Sequence, residues 1–185
     1  MKIYTKKGDD GSTGLFYGGR VDKDDTGPAA YGTVDEAVSA LGMTRAIALT
    51  SDPELSIAVL GIQRELFVVG AELAANPEAR AKLDDGVSRV TTSMVERLET
   101  AIDDVVDDRG MPTDFVVPGE NPLAASLDVA RSIVRRAERR AVSHVRVHEL
   151  DESLVVPYLN RLADLLFMLA RAAEDSWTPT KGERG

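Results

Sequence analysis

Cysteine is absent from this 185-residue chain, which excludes disulfide frameworks, thiolate metal centres and cysteine nucleophiles and suits a reducing compartment. Histidine is scarce: His144 and His148 are the only two. They stand four apart, a spacing that can chelate a metal from one helix face, but no third ligand accompanies them. Both follow an arginine-rich stretch at a polar helix end, so no protein-held metal is assigned. Long apolar runs are missing too. The opening MKIYTKKGDDGSTG lacks the continuous apolar stretch of a signal peptide, and nowhere do apolar residues continue far enough to span a bilayer. A cytoplasmic protein without a membrane partner is expected. Positive charge is in deficit, with 22 Lys and Arg against 31 Asp and Glu and a formal net charge of -9. A field of that sign argues against general nucleic-acid binding. The length fits a single domain, residues 1–185, large enough for one core without staples.

Against that acidic background the chain gathers Arg131, Arg135, Arg136, Arg139 and Arg140 in one stretch. Arg131, Arg135 and Arg139 recur every four residues, so a helix stacks them along one stripe. Planar guanidiniums with paired donors suit the oxygens of a triphosphate. A solvated helix face paired to neighbouring acids reads the same spacing equally well. From Tyr31 onward apolar residues return every three or four positions, predicting five helices with short polar connections and hence an all-α antiparallel bundle over 31–177. The first runs from about Val34 to Leu49. The second begins after Asp52 and Pro53, and its Leu55, Val59, Ile62, Leu66, Val69 and Leu73 form one apolar stripe ending before Asn76 and Pro77. A third is announced by Ser93 and Glu96, a capping-box spacing, and reaches Gly110. Asn121 and Pro122 open the fourth, whose Leu123, Leu127, Ala130 and Val134 turn inward. The fifth starts after Asp151 and carries Leu159, Leu162, Leu166 and Leu169, with Pro157 blurring its start. Residues 78–90 and 178–185 read as a polar linker and a flexible tail.

Residues 1–30 differ, because glycine, serine, threonine and lysine crowd the stretch YTKKGDDGSTGLFYGG. Such a segment can wrap a phosphate with backbone amides, Lys6, Lys7 and Lys23 adding charge. It lacks the GxxxxGK spacing of the common P-loop, and a disordered arm would look similar.

Four segments together resemble the PduO-type corrinoid adenosyltransferases, which move the adenosyl group of ATP to the cobalt of cobalamin. They are IYTKKGDDGSTGLFYGGRVDKDD at 3–25, YGTVDEAVSALG at 31–42, FVVPGENPLAASLDVARSIVRRAERRAV at 115–142 and YLNRLADLLFMLAR at 158–171. The resemblance implies a five-helix bundle with an irregular nucleotide-binding leader, assembled as a homotrimer with active sites between subunits. It implies that Thr5, Lys6, Lys7, Gly8, Thr13, Gly14 and Lys23 line ATP, with Arg135 on the terminal phosphate and Asn160 at the nucleoside end. Arg136, Glu138 and Arg139 belong to the same nucleotide-contact segment. Asp35 resembles the partner of Arg131 in an intersubunit ion pair, and Phe115 and Phe167 resemble the aromatics flanking the corrin. ATP, cobalamin and Mg2+ are the implied ligands, with a flavin reductase as electron donor and an adenosylcobalamin-dependent enzyme as client. Departures from the family pattern are Lys7 for threonine, Thr33 for an acid, Val38 for asparagine, Asp128 for histidine and Ala163 for serine. The chemistry implied is attack by cob(I)alamin on C5′ of ATP with triphosphate leaving. A non-catalytic ATP or adenosylcobalamin sensor or delivery protein on the same scaffold is the alternative.

Overall fold

The computed structural model describes residues 3, 4 and 6–181. A two-stranded antiparallel ribbon, β1 (Ser12–Gly14) and β2 (Arg20–Asp22), precedes α1 (Thr26–Ser51), α2 (Pro53–Leu73), α3 (Thr92–Arg109), α4 (Pro122–Val147) and α5 (Val155–Ala172). α1 packs on α2 and α4, α4 on α5, and α5 on α3. The five helices form the antiparallel bundle expected from the sequence.

Local chemistry explains most boundaries. The Asp52 carboxylate accepts from the Leu55 N–H at 3.0 Å, so one residue closes α1 and caps α2. Asn121 accepts from the Ala124 N–H at 2.9 Å and Pro122 occupies the first turn of α4, where its missing donor costs nothing. Pro157 likewise falls in the first turn of α5. The apolar stripe of α2 is buried throughout, as are Leu123, Leu127, Ala130 and Val134 of α4. Truncating a fully buried leucine such as Leu66 or Leu127 to alanine should cost about 2–5 kcal/mol. The α1–α4 seam is built from small side chains, with Ala30, Ala37, Ala130, Ala137 and Ala141 all fully buried.

Several expectations needed correction. α1 begins at Thr26 rather than near Val34, so the leader ends before residue 30. The Asp25 side chain caps Thr26 N–H at 2.6 Å, and Pro28 sits harmlessly in the first turn. A Cβ on Gly27 would lie 3.3 Å from Cε1 of the buried His144, a contact close enough that the ring would have to give by a few tenths of an ångström. Thr26 Oγ1 lies 3.1 Å from His144 Nδ1. Burial, then the adjacent His148, pushes His144 down to about 4. The cap of α3 is Thr91, not Ser93; no side chain caps its N–H groups, and Ser93 instead shares a 3.0 Å hydrogen bond with Thr91. The supposed linker 78–90 is structured: Pro77–Lys82 forms a 3-10 helix, and Leu83, Ser88 and Val90 are buried. Its anchor is Glu72, a buried acid that accepts from Arg80 and from Val90 N–H, both at 2.6 Å, and from Ser153 at 2.7 Å. The tail is also held in part. Val117 N–H donates to Thr178 and Thr180 N–H to Phe115, both at 2.8 Å, making a short antiparallel ladder around Val116 and Pro179.

Candidate active site

Arg131 and Arg135 line one hollow of about 410 Å³ between α3, α4 and α5, within the usual size range of small-molecule sites. Its apolar wall includes Phe167 and Met168 of α5 and Ile102 and Val106 of α3, while Arg161, Glu99, Asp103 and Asp164 add charge. Helical spacing therefore places two of the three striped arginines together. Arg139 is exposed and donates back to the Arg135 carbonyl at 3.0 Å, and Arg136 turns away to an ion pair with Glu36 of α1.

Arg131 is not loose. Its Nε donates to Asp128 at 3.0 Å, and its guanidinium lies 5.8 Å from the centre of the Phe167 ring. The other Asp128 oxygen accepts from Arg171 at 2.6 Å. Arg171 in turn lies 5.2 Å from the centre of the same ring and 2.9 Å from Glu174. Two acids and two guanidiniums thus balance in charge. Arg171 is only 1% exposed and Glu174 is as deeply buried, so removing one partner leaves an uncompensated charge at a cost of about 3–5 kcal/mol. Each cation also gains from the ring quadrupole at these distances. Burial pushes the Glu174 carboxyl up, opposed by Arg171.

Asn160 of α5 and Glu138 of α4, which lie in separate segments of the sequence, come together, Asn160 donating to Glu138 at 3.2 Å. Arg161 donates to Asn160 at 2.9 Å and to Glu99 at 2.8 Å. The asparagine is thereby fixed from both sides, which removes the cost of an unpartnered amide on an apolar helix.

The leader folds into a compact loop. Lys23 Nζ donates to the Gly8 carbonyl at 2.7 Å, and Arg20 donates to the Lys7 carbonyl at 2.6 Å. Asp10 accepts from the N–H and hydroxyl of Ser12, which hold its carboxyl below the ordinary carboxylate range. Thr13 and Gly14 lie in β1. Lys6 is held at φ 59°, the left-handed region that side chains avoid. Thr5 lies outside the described residues. None of the described leader residues lines the arginine hollow.

Asp35 belongs elsewhere. It is exposed on α1, has no ion-pair partner among the described residues, and lines a second hollow of about 530 Å³ with Phe16, Tyr31, Val38 and Phe67. Within one chain it does not meet Arg131. Phe115 stands 86% exposed, its backbone fixed by the tail ladder but its ring uncovered. The residues that sequence reasoning missed are Arg161, Arg171 and Glu174, and it noted Asp128 only as a departure. The legible signal was a charge at a core-facing position: Asp128 beside Leu127, and Arg171 beside Ala170.

Among the described residues no three His, Asp or Glu side chains converge to hold a metal ion, and none of the described helices is long and apolar enough to cross a membrane. A family model described as cobalamin adenosyltransferase matches residues 3–173. A corrinoid adenosyltransferase of Citrobacter freundii is 42% identical over 174 residues, which cover 94% of this chain and 95% of the relative. One from Bacillus subtilis is 41% identical, covering 92% of this chain and 86% of the relative. Among solved structures, a variant PduO-type ATP:corrinoid adenosyltransferase from Lactobacillus reuteri complexed with cobalamin and ATP is 34% identical, with a TM-score of 0.81 over 93% of this chain and 90% of that one. A second variant of that enzyme, complexed with ATP, is 31% identical with a TM-score of 0.82 over 97% of this chain and 100% of that one.

Proposed function

This chain belongs to the cobalamin adenosyltransferase family and is a corrinoid adenosyltransferase, moving the adenosyl group of ATP to cobalamin; we propose that it does so at sites shared between neighbouring subunits of a homotrimer. The observation that carries this reading is the pair Arg131 and Arg135, open side by side on one hollow whose apolar wall is Phe167 and Met168. The leader of one copy brings Thr5, Lys6, Lys7, Gly8, Thr13, Gly14 and Lys23 to ATP. The neighbour's Arg135 takes the terminal phosphate, Arg136, Glu138 and Arg139 belong to the same nucleotide-contact segment, and Asn160, fixed by Glu138, meets the nucleoside. Asp35, without an ion-pair partner among the described residues, reaches the neighbour's Arg131. The hydrogen bond from Arg131 to Asp128 uses only Nε, so the outer fork of the guanidinium is free for that partner.

Cobalt in cob(I)alamin attacks C5′, the cobalt–carbon bond forms, and the C5′–oxygen bond breaks with its electron pair leaving on triphosphate. No proton moves, so the protein needs no general base. Its cations stabilise charge growing on the leaving group, and its walls align the two reactants and exclude water. Mg2+ enters this reading as a companion of the ATP phosphates. Phe115 and Phe167 flank the corrin, and Phe115 favours loss of the lower axial ligand, which makes cobalt easier to reduce. A flavin reductase supplies the electron, a cytoplasmic adenosylcobalamin-dependent enzyme receives the product, and neither nucleic acid nor membrane is a partner. The test is an anaerobic mixture of purified protein, ATP and reduced cobalamin. Formation of the cobalt–carbon bond, followed spectrally, is the expected result; a protein that binds both ligands without turnover is a sensor or delivery factor instead.

A further inference from the structure

We propose that Asp128 is a positioning residue for the corrinoid side of the site, holding Arg131 through one carboxylate oxygen and Arg171 through the other so that both guanidiniums fix the Phe167 ring. This rests on the reading of Arg131 and Phe167 given above. Asp128 lies under the hollow rather than in it: it is buried, and it is not among the residues that line the cavity. Its contacts run outward in two directions. One oxygen takes Nε of Arg131 at 3.0 Å and the other takes Arg171 at 2.6 Å. Both guanidiniums lie against one ring, at 5.8 and 5.2 Å. Ring and carboxylate together therefore define where the Arg131 fork points, and the two cations restrict how the ring sits.

Glu174 separates this role from plain structural support. It is as buried as Asp128 and shares Arg171, with a hydrogen bond at 3.0 Å, but no described interaction links it to Arg131. A network that only held the fold together would respond alike to the loss of either acid. A positioning role makes the response unequal, because of the two acids only Asp128 also holds Arg131, which lines the cavity.

The experiment compares Asp128→Asn with Glu174→Gln in the full-length protein. It measures kcat and KM for each substrate, the thermal midpoint, and the spectrum of bound cob(II)alamin in the presence of ATP. Both variants should melt lower than the wild type. Asp128→Asn should raise KM for the corrinoid about tenfold, a misplacement effect, and shrink the spectral signature of cobalt without its lower ligand, while KM for ATP moves little. Glu174→Gln should leave the corrinoid constants and the spectrum unchanged. Equal losses in the two variants, or wild-type corrinoid constants in Asp128→Asn, overturn the inference. If Asp128→Asn does not fold, Asp128→Glu, which keeps the charge and shifts it by one methylene, is judged by the same criteria. Absence of turnover in the wild type would instead remove the function proposed for the site.

Discussion

Two of the hollows of this molecule, the one lined by Arg131 and Arg135 and the one lined by Asp35, are built on opposite plans. The one between α3, α4 and α5 is braced before any ligand arrives: Arg131 is tied to Asp128, Asn160 to Glu138, and Arg161 to Glu99. The one beside α1 and α2 is bare. Asp35 is the one charged group among the described residues that line it, the rest being Tyr31, apolar side chains and glycines, and Phe67 there is 66% exposed. The first is a cup in which three arginines face three acids beside an apolar wall, and the second is an apolar surface carrying one acid. In the proposed assembly such a chain supplies two unlike halves of a site, which a head-to-tail neighbour would join.

The comparison is broken most forcefully at the cup. Arg135→Ala should lower kcat about 100- to 1,000-fold, as loss of a transition-state donor does, with circular dichroism unchanged; near-normal turnover would remove the phosphate clamp. Next in size is the join between the halves. Asp35→Ala and Arg131→Ala should each lose about 30-fold or more, since truncating one partner of a buried pair costs about 2–5 kcal/mol. Co-expressing the two variants should recover about a quarter of wild-type turnover, because one interface in four in mixed rings then combines an intact Asp35 with an intact Arg131. No recovery would show that both residues act within one chain. A smaller effect belongs to Phe115, the uncovered ring: Phe115→Ala should cost about tenfold when the reaction starts from cob(II)alamin and less from chemically reduced cob(I)alamin. Equal losses would end its redox role.

An effect of another kind is on stability and concerns the contact between Thr26 at the start of α1 and His144 of α4. His144 is held to about 4 in the folded chain by burial, below its ordinary 6.5. The unfolded chain therefore takes up the proton first, and stability present above about 6.5 is lost as the pH falls toward 4. The loss is at most about 3 kcal/mol. Urea midpoints across that window should fall for the wild type and flatten for His144→Gln.

What could be read in the sequence was local. The Asn121–Pro122 start, the leucine stripe of α2 and the four-residue arginine spacing each depend on neighbours along the chain, and each is where it was expected. The misreadings share a cause. Thr26, Gly27 and Pro28 look like breakers until Asp25 caps them and His144, far along the chain, takes the space where a Cβ would go. Residues 78–90 look like a linker until Glu72 gathers Arg80, Val90 and Ser153. The tail looks free until Thr178 and Thr180 pair with Val117 and Phe115. For the site, composition pointed to an anion clamp, and the resemblance supplied the roles. The brace from Asp128 to Arg171 spans forty-three positions, a distance over which no periodicity carries information.

The seam of alanines between α1 and α4 has a geometric consequence for the assembly. α1 bears the acid and α4 the guanidinium that would meet it on the next copy, so the rotation of one helix about the other fixes the angle between a protomer's two docking directions. In a cyclic array that angle decides how many members are needed before the last meets the first. Enlarging Ala37 or Ala137, both fully buried, would press the two axes apart and turn one docking direction of the proposed ring against the other.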